Sequence, residues 1–122
     1  MDRLMNTVKI KRVYEEPSTD DGYRILVDCL WPQGVVKKKT QLDEWCKDVA
    51  PSTELRKWFG HKKERFEEFE RRYREELSDK KEELSKIVAV AHVLNITLLY
   101  AAKDTQINHA VVLCDVLEEE FD

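Results

Sequence analysis

A polar loop between an apolar stretch and the last predicted helix carries the side chains best suited to chemistry. These side chains are Lys103, Asp104, Thr105, Asn108 and His109. Free backbone N–H groups and the positive end of the helix dipole favour an anion at such a helix start. Lys103 would add a charge, Asn108 would orient a ligand, and His109 could move a proton near neutral pH. The alternative interpretation is structural: Asp104 or Thr105 caps the helix, Lys103 points to water and His109 packs in the first turn.

A second candidate loop covers residues 28–34, directly after an apolar run. Asp28 could act as a general base or accept a hydrogen bond from a ribose hydroxyl; alternatively, it caps backbone amides. Trp31 could form the aromatic wall of a pocket, although a tryptophan before a proline is also typical of a core. Cys29 could act as a nucleophile beside a base, but no base lies at a recognisable spacing.

The remaining candidates form no recognisable catalytic or metal motif. Residues 58–61 place two aromatic rings and a histidine at a helix end, a pattern that also fits a hydrophobic plug with a C-terminal cap. The three histidines are scattered, so they lack the spacing of metal ligands. P-loop, dinucleotide-binding, serine-hydrolase and zinc-protease motifs are absent. The sequence therefore predicts no metal site and assigns no cofactor.

Apolar periodicity predicts the strands that would position both loops. Residues 8–13 alternate apolar and basic side chains, residues 23–27 are β-prone, and residues 96–101 form the most apolar run, the predicted central strand. Residues 42–49 fit either a helix or an edge strand. The polar stretch 15–22 predicts a surface loop.

Helices are predicted between and after these strands. Ser52 or Thr53 caps a short helix over residues 54–59 that Gly60 ends, and longer amphipathic stretches follow. Because strands joined through helices pair in parallel, we expect an α/β fold with a small open, mainly parallel sheet of three to four strands covered by helices. Both candidate loops would then emerge at the carboxyl edge of that sheet, where ligands bind.

Composition indicates one globular domain, spanning residues 1–122, with a heavily charged surface. Apolar residues make up 42% and charged residues 38%, with 21 basic against 25 acidic side chains and a formal net charge of −4. Such a chain lacks the bulk positive charge of a nonspecific nucleic-acid binder, so nucleic acid is not an expected partner. No apolar run approaches the roughly 18 residues that cross a bilayer, and the polar N-terminus has no signal-peptide core. We therefore expect a cytoplasmic protein with no membrane partner.

Several segments resemble a known family, in a specific order along nearly the whole chain. They are Lys11-Arg12-Val13-Tyr14, Asp21-Gly22-Tyr23-Arg24-Ile25-Leu26-Val27-Asp28, Leu30-Trp31-Pro32, Ala50-Pro51-Ser52, Leu55-Arg56-Lys57-Trp58-Phe59-Gly60-His61, Leu98-Leu99-Tyr100-Ala101-Ala102 and Asn108-His109-Ala110. On these residues the chain resembles the YeaO-like proteins, the family called domain of unknown function 488. The resemblance implies a small α/β fold but brings no settled substrate, cofactor or catalytic residue.

Three positions depart from that family's usual pattern. The family has arginines at the second and sixth positions of its first loop motif, and an arginine before the aspartate of the second loop. This chain has Cys29, Gln33 and Lys103 there. If the arginines clamp an anion in the family, the clamp is weaker here, because only arginine presents a planar bidentate fork.

Two functional hypotheses follow. The first is a small enzyme or binding domain for an anionic small molecule, such as a nucleotide or another phosphate compound, with its residues converging in one cleft. Its catalytic candidates are Asp28, Asp104 and His109, and its ligand-binding candidates are Trp31, Tyr100, Lys103 and Asn108. The second is a non-catalytic interaction module whose charged helices over residues 62–86 contact another protein or, less readily, nucleic acid. The sequence leaves the oligomeric state open.

Overall fold

The computed structural model, which describes residues 6–121, contains a four-stranded sheet and five α-helices. The strands are β1 (Val8–Arg12), β2 (Tyr23–Leu26), β3 (Glu44–Trp45) and β4 (Ile96–Tyr100). Their order is β1-β4-β2-β3, and each neighbouring pair is parallel. The predicted α/β fold with a parallel sheet of three to four strands is confirmed, and β4 lies inside the sheet as expected.

Residues 6–121 form five α-helices, of which the sequence analysis predicted all but the first. They are α1 (Lys37–Thr40), α2 (Thr53–Phe59), α3 (Phe66–Ser78), α4 (Lys81–Ala91) and α5 (His109–Phe121). The short helix α2 follows its predicted caps: Ser52 Oγ accepts the N–H of Leu55 at 3.1 Å, and Gly60 ends the helix in the left-handed conformation at φ 54°. No helix in the described part of the chain is both long and apolar enough to span a membrane.

Strand β4 divides the interior into two layers because alternate side chains of a strand point to opposite faces. Leu98 and Tyr100 pack into the larger core beneath α2 to α5. Leu99 packs on the other face with Leu26 and Val13. The four longer helices therefore cover one face of the sheet, and mainly loops cover the other.

The loop-covered face is closed by two tryptophans. The rings of Trp31 and Trp45 meet edge to face, with centroids 5.3 Å apart. Trp31 Nε1 donates to the carbonyl of Val35 at 3.0 Å, and Trp45 Nε1 donates to that of Asp28 at 2.7 Å. Trp45 belongs to β3, so the segment that fitted either helix or strand contains a short edge strand.

The polar stretch 15–22 is not wholly a surface loop, because Asp21 is completely buried. Its carboxylate pairs with Lys11 Nζ at 3.1 Å and with the guanidinium of Arg24, and it accepts the N–H of Ser18 at 2.9 Å. Burial acts to raise the pKa of Asp21, but these donors outweigh it and hold the pKa well below its usual value. The loop is thus anchored on the second face of the sheet by a buried ion cluster.

Candidate functional site

A cleft of about 680 Å³ opens at the carboxyl ends of β2 and β4. These strands are parallel neighbours, so the loops that follow them emerge side by side. Further walls come from α2 with the residues flanking it, and from α3. The charged and polar lining side chains are Asp28, Arg56, Lys57, His61, Lys103, Asp104, Asn108 and His109.

Five of the seven predicted site residues line this cleft. They are Asp28, Lys103, Asp104, Asn108 and His109. Trp31 and Tyr100 lie outside the lining: Trp31 packs on the loop-covered face of the sheet, and Tyr100 is 1% exposed in the main core. Burial raises the pKa of Tyr100 above its usual value. Both aromatic side chains therefore serve packing.

Asp28 and His109 join the two candidate loops. His109 Nε2 lies 3.0 Å from the carbonyl oxygen of Val27 and 3.2 Å from Asp28 Oδ1. Because both neighbours are acceptors, Nε2 carries the proton. Asp28 Oδ2 accepts the N–H of Ala101 at 3.0 Å, and the imidazole ring packs edge-on against Tyr73 with centroids 6.2 Å apart. The ring is thus held in place, and its Nδ1 has no hydrogen-bond partner among residues 6–121.

Asp104 and Asn108 hold the loop between β4 and α5 in shape. Asp104 Oδ1 accepts the N–H groups of Gln106 and Ile107 at 2.8 and 2.9 Å, which lowers the pKa of this carboxyl group. Asn108 Nδ2 donates to the carbonyl of Asp104, and Asn108 Oδ1 accepts the N–H of Val111 at 3.0 Å. Asn108 therefore caps α5 in place of the predicted Asp104 or Thr105. Both ends of its amide and Oδ1 of Asp104 are engaged within the loop.

The sequence analysis missed the contribution of α2 and its C-terminal end. Arg56, Lys57 and His61 all line the cleft. Arg56 Nε is buried without a hydrogen-bond partner in the described part of the chain, while Nη2 of the same side chain donates to Thr53 Oγ1 at 3.1 Å. Residues 58–61 also fitted a hydrophobic plug at the helix end, and Phe59 fills that role because it is buried. The sequence signal that could have indicated this contribution is the pair of basic residues, Arg56 and Lys57, within the segment 55–61 that resembles the family.

The cleft is positively charged although the chain is acidic. Arg56, Lys57 and Lys103 face the two carboxylates Asp28 and Asp104, an excess of one positive charge before the histidines are counted. Among residues 6–121, no three His, Cys, Asp or Glu side chains are grouped as ligands of a metal ion. The arrangement can attract an anion, and both His61 and Nδ1 of His109 present imidazole nitrogens without a hydrogen-bond partner among the described residues.

Comparison with known proteins places the chain among its relatives. The family model that matches residues 7–122 is described as "Inactive DUF488-N3 subclade". Uncharacterized protein YeaO of Escherichia coli is 46% identical over 110 residues, covering 90% of this chain and 96% of that protein. Uncharacterized protein Rv3073c of Mycobacterium tuberculosis is 46% identical over 112 residues, covering 90% and 92%. No solved structure matches the chain significantly. The chain therefore belongs to the YeaO-like DUF488 family, in the branch described as the inactive DUF488-N3 subclade.

Proposed function

We propose that this chain binds an anionic small molecule in the cleft at the ends of β2 and β4. The observation that carries the proposal is the convergence of Arg56, Lys57 and Lys103 with His109 around one concave site. These residues come from two distant parts of a chain whose net charge is −4. The three cations outnumber the carboxylates Asp28 and Asp104 in the lining, and a net positive charge in a cleft raises the local concentration of anions.

Arg56 gives the proposal its most specific support. A buried donor without an acceptor costs on the order of 1–3 kcal/mol, and Arg56 Nε is such a donor in the described structure. An anionic oxygen beside the guanidinium would supply the missing acceptor in a charge-assisted hydrogen bond. His109 Nδ1 would add a second donor whenever the ring is protonated.

Binding without turnover fits the site better than catalysis. Of the predicted catalytic residues, Asp104 is engaged by backbone amides and Asp28 by Ala101 and the His109 contact. The acceptor atoms of these three residues that keep neither a hydrogen bond nor an ion-pair contact in the described structure are His109 Nδ1 and Asp104 Oδ2, the second of them on an exposed loop. The description of the matching family as inactive supports the same choice.

Calorimetric titration of the purified protein with ethyl phosphate tests the proposal. We expect saturable binding by the wild type that the Arg56→Ala, Lys103→Ala double variant loses. The matched control is Arg71→Ala, Lys81→Ala, which removes one exposed arginine and one exposed lysine outside the cleft lining. Binding that is absent from the wild type, or lost equally in the control, would refute the proposal.

The interaction-module hypothesis has less support. Its proposed surface on α3 is charged, but the charges pair with each other: Glu68 contacts Arg71 at 2.6 Å and Arg72 at 2.7 Å, and Glu70 contacts Arg74 at 3.0 Å. Such a self-paired surface offers little net charge to a partner.

A further inference from the structure

We infer that the anion taken by the cleft is attached to an apolar body, aromatic or aliphatic, and not to a sugar or another polyhydroxylated body. This inference rests on the proposed function and specifies its ligand class. Three features of the cleft carry it: its size, its apolar walls, and the shortage of uncommitted polar groups other than cations.

The cleft is much larger than an inorganic anion requires. Its volume of about 680 Å³ falls within the range of roughly 300–1,000 Å³ typical of sites that enclose whole organic ligands. Arg56, Lys57 and Lys103 would contact only the charged end of such a ligand. The rest of the ligand must then contact the remaining walls.

Those remaining walls are apolar. Leu30 lines the cleft and is 68% exposed, so a ligand can cover it without any rearrangement of the core. Phe59 and Phe69, stacked with centroids 4.2 Å apart, form the apolar back of the cleft but are themselves buried in the core. The other apolar lining residues are Ala50, Pro51, Ala101 and Ala102. Burying apolar ligand surface against such walls is favourable by about 25 cal/mol per Å².

Most of the polar groups that would recognise hydroxyls are already engaged; Asp104 Oδ2 and the ring of His61 are the exceptions among the described lining residues. No serine, threonine, tyrosine or glutamine side chain among the described residues lines the cleft. The amide of Asn108 is used at both ends, and Asp104 Oδ1 accepts two backbone N–H groups. Asp28 Oδ2 accepts from Ala101, while Oδ1 is shielded from solvent and lies against His109.

A sugar would therefore lose water from several hydroxyl groups and gain few protein acceptors in return, chiefly Asp104 Oδ2 and the ring of His61. Mutational studies of proteins indicate that burying a hydroxyl group without a hydrogen-bond partner costs roughly 1–3 kcal/mol of free energy. An aromatic or aliphatic body carries no such penalty. The cationic side chains that remain free match the acceptor oxygens of a phosphate, sulfonate or carboxylate group.

Titration calorimetry with three phosphate monoesters of equal charge tests the inference: phenyl phosphate, ribose 5-phosphate and ethyl phosphate, at about pH 8, where all are dianions. We expect phenyl phosphate to bind at least about tenfold more tightly than ribose 5-phosphate. The Leu30→Gln variant should reduce that ratio several-fold. Val36→Gln is the matched control, since Val36 is an exposed aliphatic residue outside the cleft lining, and it should leave the ratio unchanged.

The outcomes separate this inference from the proposed function. The inference of an apolar body is refuted if ribose 5-phosphate binds as tightly as phenyl phosphate, or if Leu30→Gln leaves the ratio of their dissociation constants unchanged. Anion binding in the cleft would still stand in both cases. If none of the three esters binds, both the inference and the proposed function fail.

Discussion

Asp28 Oδ1 lies 3.2 Å from Nε2 of His109, and this contact ties the end of β2 to the first residue of α5. The other carboxylate oxygen of Asp28 accepts the N–H of Ala101, the residue that follows β4. One side chain thus connects three elements that border the cleft. The side chain therefore positions His109 and the loop.

Replacing Asp28 with alanine should destabilise the fold. The Ala101 N–H loses its acceptor and His109 loses its neighbouring carboxylate, so the free energy of unfolding should fall by about 1–3 kcal/mol. Urea denaturation monitored by circular dichroism measures this change in the free energy of unfolding. Asp28→Asn keeps one carbonyl acceptor and should lose less; equal losses in the two variants would contradict this role of Asp28.

Lys103→Arg should strengthen anion binding. Arginine offers a planar fork with several donors where lysine offers a point charge, and the family pattern has arginine at this position. We expect the dissociation constant for ethyl phosphate to fall about threefold to tenfold, as for one added charge-assisted hydrogen bond. An unchanged dissociation constant in calorimetry would mean that residue 103 does not contact the anion.

Asp21→Asn should be among the most damaging single changes. The substitution leaves Lys11 and the buried Arg24 without their carboxylate. Removing one partner of a buried ion pair typically costs about 3–5 kcal/mol. Chemical denaturation of the variant measures the loss, and Asp20→Asn, an exposed neighbour, is the control. A loss no larger than that of the control would show that the ion cluster does not hold the loop.

Asp21 also predicts a specific acid sensitivity. Its pKa is depressed in the folded protein, so its stabilisation is fully present above the unfolded-state pKa of about 3.9 and is lost as the pH falls below that value. The free energy of unfolding, measured between about pH 6 and pH 2, should therefore decline in this window. The decline should be shallower in Asp21→Asn, and identical slopes for the two proteins would contradict the assignment.

Gly22 cannot be replaced without strain. Its φ is 64°, and a Cβ atom added there would lie 2.2 Å from the backbone oxygen of Asn95. Gly22→Ala should therefore lower the free energy of unfolding by more than the roughly 1–3 kcal/mol of unfavourable backbone conformation alone. Gly34 provides the control, because its φ is 78° and no atom lies within 4 Å of an added Cβ. Thermal unfolding should show a clearly larger loss for Gly22→Ala than for Gly34→Ala.

Local sequence signals predicted the elements because hydrophobic periodicity and caps act over a few residues. The apolar run of β4 and the Ser52 and Gly60 caps of α2 are of this kind. The parallel-sheet rule then predicted that the loops after β2 and β4 would meet, which places Asp28 and His109 together. This much of the candidate site follows from the order of elements along the chain.

The tertiary structure alone decided which further side chains reach the cleft. Arg56 and His61 line it because of how α2 packs across the ends of the strands, and no local pattern encodes that packing. Asp21 is buried because two lysines of β1 and Arg24 of β2 surround its carboxylate, an arrangement that forms only when the two strands join the same sheet. Tyr100 points away from the cleft because alternate side chains of β4 face the core beneath the helices, and Tyr100 is one of them. The sequence by itself determined most of the elements, though not β3 or α1, and one sheet edge. Packing between elements decided the charge and shape of the site.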